Sequence, residues 1–66
     1  MELLVNGERA EFPEGLTVSG LLERLRVQPG RVVVEVNLNM LKRAQHANTI
    51  LHEGDHIEIV HFVGGG

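Results

Sequence analysis

Sixty-six residues and 7.3 kDa allow one domain, and a domain of that size buries only about 60% of its unfolded surface, which excludes most enzymes that need a deep cleft. The absence of cysteine removes disulfides, thiolate zinc sites and iron–sulfur ligation and fits a reducing compartment. The net charge is −3, the longest basic run is Lys42-Arg43, and Phe12 and Phe62 are the only aromatic residues, a balance that argues against nucleic-acid binding.

No apolar stretch approaches the roughly 20 residues of a membrane span, and residues 1–30 lack the apolar region of a signal peptide. The chain therefore reads as a soluble cytoplasmic module with no membrane or nucleic-acid partner. Asn6-Gly7 lies between two β-prone runs, the strongest short hairpin signal, because both residues accept positive φ. It predicts strands over 3–5 and 9–12, followed by a turn at Pro13-Glu14-Gly15.

Thr17 is a good N-cap for a helix over 18–27, with Leu16 and Leu21 at the spacing of a hydrophobic staple. Val18, Leu21, Leu22 and Leu25 form the i, i+3, i+4, i+7 stripe of an amphipathic helix. Gly20 inside it costs about 1 kcal/mol against Ala and suggests close packing on a sheet. Pro29-Gly30 ends the helix.

Residues 31–37 form the clearest strand. Val32, Val34 and Val36 alternate with Val33 and Glu35, and Glu35 marks the outer face. A turn at 37–39, a short edge strand at Met40-Leu41 and an irregular stretch over 42–50 follow, the last with a helical turn near 43–46. Glu53-Gly54-Asp55 is a further turn, and the last strand covers 56–63.

This order predicts a two-layer α+β domain, one main helix across one face of a mixed sheet of four to five strands. The inward set is Leu3, Val5, Val18, Leu21, Leu22, Leu25, Val32, Val34, Val36, Ile57 and Ile59. If the first, third and last strands are neighbours, Leu4, Val33, Val60 and Phe62 make one exposed apolar patch on the outer face. A contiguous patch of that kind suggests a partner. Phe62 is its best contact candidate, as an exposed aromatic beside the tail, and Glu35 and Glu58 rim it.

Three of the eight glycines are Gly64-Gly65-Gly66. One reading is a frayed terminus. The other makes the α-carboxylate of Gly66 the reactive group. A carboxylate is a poor electrophile, but an ATP-dependent partner can convert it to an acyl-adenylate open to a sulfur or nitrogen nucleophile. Glycines have no Cβ to block a narrow channel or restrict φ. At 3.3–3.6 Å per residue three of them reach roughly 10 Å beyond a folded body. On this reading 1–63 is the folded domain and 64–66 a flexible reactive tail.

Val5-Asn6-Gly7, Leu16-Thr17-Val18 leading into Leu21-Leu22, Val34-Glu35-Val36-Asn37, Arg43-Ala44-Gln45-His46, Glu53-Gly54-Asp55, and Ile57-Glu58-Ile59-Val60 running on to the terminal glycines together resemble the ThiS family of sulfur carriers. The resemblance spans essentially the whole chain and implies a ubiquitin-like β-grasp fold. It also implies that Gly66 is adenylated by an E1-like enzyme (ThiF-like) using ATP and Mg²⁺. A sulfur donor protein then helps convert it to a thiocarboxylate, and the sulfur goes to a ThiG-like thiazole synthase for the thiazole of thiamine. The chain would be a protein cosubstrate and not an enzyme, with Gly64 and Gly65 threading into each partner. A chain without cysteine cannot hold sulfur as a persulfide, which leaves the terminal carboxyl as the place to carry it.

Two further readings stand beside this one. MoaD, the small subunit of molybdopterin synthase, shares fold and chemistry but is usually longer, with a proline-containing segment before its Gly-Gly where this chain has His61-Phe62-Val63. A non-reacting β-grasp interaction module predicts an ending without a diglycine, or more chain beyond it. An acyl carrier needs a serine at a helix start, commonly in Asp-Ser-Leu, which Val18-Ser19-Gly20 does not match. His52 and His56 are four apart, but Gly54 breaks the helical face that a metal pair needs. With His46 and His61 they read as surface or edge residues. No Ser/His/Asp set is credible in so thin a core.

Overall fold

The computed structural model describes residues 1–62. Strands β1 (Glu2–Val5), β2 (Glu8–Glu11), β3 (Val32–Val36), β4 (Asn39–Leu41) and β5 (His56–His61) form one sheet in the order β2-β1-β5-β3-β4. β1 and β5 run parallel at its centre, and the other pairings are antiparallel. The helix α1 (Val18–Arg24) packs Val18, Leu21 and Leu22 against Leu3, Val34, Ile57 and Ile59 of the inner face. This is the expected two-layer mixed-sheet domain, a ubiquitin-like β-grasp fold.

Asn6 and Gly7 both have positive φ, 50° and 81°, as the hairpin signal required. The hairpin pairs Val5 with Glu8, so β2 begins and ends one residue earlier than expected. Asn6 also extends the central pairing. Its N–H donates to the Ile57 carbonyl at 2.8 Å, and its Oδ1 accepts from the Ile59 N–H at 2.7 Å.

Helix α1 starts as read, with the Thr17 hydroxyl accepting from the Gly20 N–H at 3.1 Å. It ends earlier, at Arg24, with Leu25 as C-cap. Arg26 takes φ 58°, its N–H donates to Glu23 O at 3.1 Å, and the Val27 N–H donates to Leu22 O at 2.9 Å. Those two bonds are a Schellman motif with arginine at the left-handed position usually held by glycine. It lets Val27 turn back onto the core while Leu25, assigned to the core from periodicity, is 39% exposed. Gly20 makes room for a side chain and not for the sheet, because a Cβ there would meet Leu16 Cδ1 at 2.8 Å.

A 3₁₀ turn over Pro29–Arg31 leads into β3, so the strand starts one residue later than expected. Asn37 and Leu38 turn the β3–β4 hairpin with φ 50° and 73°. The Asn37 side chain holds that turn to the start of β5, donating to Asp55 Oδ1 at 2.9 Å and accepting from the His56 N–H at 3.0 Å.

The stretch expected to be irregular contains a second 3₁₀ turn, Arg43–Gln45, and is tied to the start of α1. Ser19 N–H donates to His46 O at 3.1 Å, Val18 N–H to Thr49 O at 3.0 Å, and Leu51 N–H to Leu16 O at 2.8 Å. Leu51, absent from the expected core, is 1% exposed, and His46, expected at the surface, is 3% exposed. Backbone pairing with the helix start carries both inward, a placement that periodicity does not encode. Among the described residues no helix is long and apolar enough to cross a membrane.

Candidate functional site: the outer sheet face and the exit of the last strand

The inner face is closed by α1, which leaves the opposite face open. Alternation along β5 turns Ile57 and Ile59 inward and Glu58 and Val60 outward. Val60 stands opposite Val33, and Glu58 opposite Glu35. Val60 and Phe62 remain 57% and 60% exposed. The Phe62 N–H donates to Arg31 O at 3.0 Å, which fixes the backbone of the chain's last described residue to the entrance of β3.

Sequence reasoning grouped Leu4, Val33, Val60 and Phe62 as one patch. Val33, Val60 and Phe62 do gather at the end of the sheet where β5 exits. Leu4 does not join them. It pairs with His56, four residues before Val60 on β5, roughly 13 Å along the strand. The Glu35–Glu58 pair occupies the face between. The reason is register: β1 runs parallel to β5 and meets only its beginning, a shift that strand order alone does not reveal.

Met40 is the residue the sequence reading missed. It pairs with Glu35, which puts it on the outer face diagonal to Val33, and it is 69% exposed. The signal was the Asn37-Leu38 turn, whose two-residue length sets the β3–β4 register. The outer surface is therefore an apolar arc of Met40, Val33, Val60 and Phe62 beside two facing carboxylates.

Among the described residues no group of three or more His, Asp or Glu side chains could hold a metal ion. His52, His56 and His61 are exposed. His46 is buried, and burial, followed by the nearby Arg43 guanidinium, lowers its pKa below the ordinary 6.5 of histidine. The tail residues singled out from sequence, Gly64, Gly65 and Gly66, lie outside the described residues, as does Val63 at the expected end of the last strand.

The model of the ThiS family matches residues 3–66. The chain is 30% identical to the sulfur carrier protein ThiS of Escherichia coli, with both chains covered over their full length. It is 41% identical to a thiazole synthase of Paramagnetospirillum magneticum over all of this chain but 20% of that protein. The chain thus spans about a fifth of the length of the thiazole synthases it matches. The crystal structure of the thiamine biosynthesis protein ThiS from Geobacter metallireducens superposes with a TM-score of 0.88 at 39% identity, covering both chains completely.

Proposed function

The chain belongs to the ThiS family, and on that premise we propose that it is a sulfur carrier of thiamine biosynthesis whose reactive group is the Gly66 α-carboxyl. The observation that carries this reading is the end-to-end pairing with a protein named as a sulfur carrier, in a chain whose last three residues are glycine. A ThiF-like enzyme, using ATP and Mg²⁺, adenylates Gly66. Hydrosulfide supplied by a sulfur donor protein attacks the acyl carbon, the C–O bond to AMP breaks, and the thiocarboxylate is left. A ThiG-like thiazole synthase consumes it. The match to a segment of thiazole synthases supports that last partner, because there a carrier-like sequence and the synthase share one polypeptide.

The chain acts in this scheme as a cosubstrate and not as a catalyst, in the cytoplasm. Gly64 and Gly65 provide a stem without side chains that enters a narrow site. The partners dock on the arc of Val33, Val60, Phe62 and Met40 beside the strand exit. Leu4 lies outside that surface.

The test is intact-mass analysis of the protein incubated with the activating enzyme, ATP and a sulfur source. The expected result is the mass gain of one oxygen exchanged for sulfur, lost in Gly66→Ala with an unchanged far-UV spectrum. No gain in the parent chain, or an undiminished gain when one residue is appended after Gly66, overturns the proposal.

A further inference from the structure

An open pocket of about 260 Å³ lies where the two 3₁₀ turns meet the start of β3. Val32, Leu41 and Phe62 supply apolar wall, and Arg43 and His46 are its ionisable members. A 3₁₀ turn has three residues per turn, so side chains three apart eclipse. Arg43 and His46 are three apart and joined by the His46 N–H donating to Arg43 O at 3.1 Å. One short turn therefore delivers a cation and an imidazole to the same pocket.

Two features of the pocket are unspent. His46 is 3% exposed, and its buried Nδ1 has no hydrogen-bond partner, whereas buried polar atoms are normally paired. The Arg43 guanidinium has no carboxylate within ion-pair distance among the described residues. It lies over Gly30, where a Cβ would stand 3.1 Å from Nη1 and 3.7 Å from Cζ. Any larger residue at 30 would press on the guanidinium.

We propose that this pocket binds an organic carboxylate with a small apolar body, the carboxylate held by Arg43 beside the buried His46 ring and the body against Val32, Leu41 and Phe62. A guanidinium matches a carboxylate in planar, two-point geometry. A single cation beside a neutral imidazole balances one negative charge, while a phosphate dianion would bring a second charge against apolar walls with nothing to pair it. The volume falls below the range of about 300–1,000 Å³ for drug-sized ligands, so the occupant is the size of one side chain. A free acid and an Asp or Glu side chain presented by a docking protein offer this same chemistry.

Amide-detected NMR titration of the whole protein tests the proposal. With 3-phenylpropionate, saturable shifts are expected at Gly30, Leu41, His46 and Phe62. Its uncharged amide should bind at least tenfold more weakly, and Arg43→Gln should lose the preference for the acid, while Arg9→Gln on β2 keeps it. The His46 ring should titrate at higher pH with the acid bound, because a neighbouring carboxylate favours the imidazolium. A parallel titration with N-acetyl-glutamate N-methylamide separates the sources. Tighter binding than phenylpropionate assigns a protein side chain, and weaker binding a free acid. No saturable shift at tens of millimolar acid, or equal binding of acid and amide, overturns the site. None of these readouts depends on the chemistry of Gly66.

Discussion

Glu35 and Glu58 stand directly opposite each other across the β3–β5 ladder, and among the described residues neither has a cation within ion-pair distance. Like charges in that position destabilise a sheet, by about 0.2–1 kcal/mol on the scale of cross-strand pairs. Glu58→Gln is therefore expected to raise the stability of the isolated protein by an amount in that range, read from the urea midpoint at neutral pH. The gain should shrink in 1 M NaCl, where exposed charges are screened over roughly 3 Å. A gain that does not respond to salt would assign the effect to packing instead.

Asn6 serves both the β1–β2 turn and the β1–β5 pairing. Its left-handed backbone suits asparagine, and its Oδ1 supplies the partner of the part-buried Ile59 N–H at 2.7 Å. Asn6→Ala leaves that N–H without its acceptor, which costs about 1–3 kcal/mol, with added backbone strain at φ 50°. Asn6→Gly keeps the turn but loses the acceptor. The expected order of urea midpoints is parent, then Asn6→Gly, then Asn6→Ala. Faster amide exchange at Ile59 in both variants checks the assignment.

The elements whose signals are local are legible in the sequence. Asn6-Gly7 gave the hairpin, Thr17 the helix start, and the Val32/Val34/Val36 alternation the inner face of β3. What escaped depends on contacts between distant segments. Leu51 and His46 lie in a stretch without periodicity and are drawn in by backbone bonds to Leu16 and Ser19. Leu4 was grouped with Val60 because alternation assigns a face but not a position along it, and the parallel β1–β5 register fixes that position. Met40 follows the same logic in reverse, brought beside Val33 by the hairpin turn.

The helix C-terminus holds a stabilising substitution in reserve. Arg26 sits at φ 58°, a conformation that costs a residue with a Cβ roughly 1–2 kcal/mol and glycine much less. Its Schellman bonds are made by backbone groups and survive a change of side chain. Arg26→Gly is expected to raise stability by about 1 kcal/mol, part of the strain relief being offset by the greater freedom of glycine in the unfolded chain. Arg26→Ala, which retains the Cβ, should give no such gain. Thermal midpoints of the three proteins decide it.

His46 makes stability depend on pH. Its folded-state pKa is lowered, by burial first and by Arg43 second, so the unfolded chain binds the proton more readily than the folded one. Stability is complete above the unfolded value of 6.5 and is lost as pH falls from there toward the lower folded value. Arg43 from the same 3₁₀ turn disfavours the imidazolium as well. His46→Leu is expected to flatten this part of the curve. The measurement is the urea midpoint of both proteins between pH 7.5 and 5, and parallel curves would exclude His46 as the source of the slope.

The docking surface proposed on the outer face separates residues by position along β5. Val60 lies in the apolar arc next to the strand exit, and Leu4 lies beyond the Glu35–Glu58 pair. Apolar residues at the centre of an interface dominate its affinity, and a carboxylate introduced there adds a desolvation cost. Val60→Asp is therefore expected to weaken binding to a ThiF-like enzyme, the proposed activating partner, at least tenfold, equivalent to about 1.4 kcal/mol. Leu4→Gln, a polar change at the far end of the same face, should change it less than threefold. Calorimetric titration of folded variants measures both, and equal losses would restore Leu4 to the docking surface.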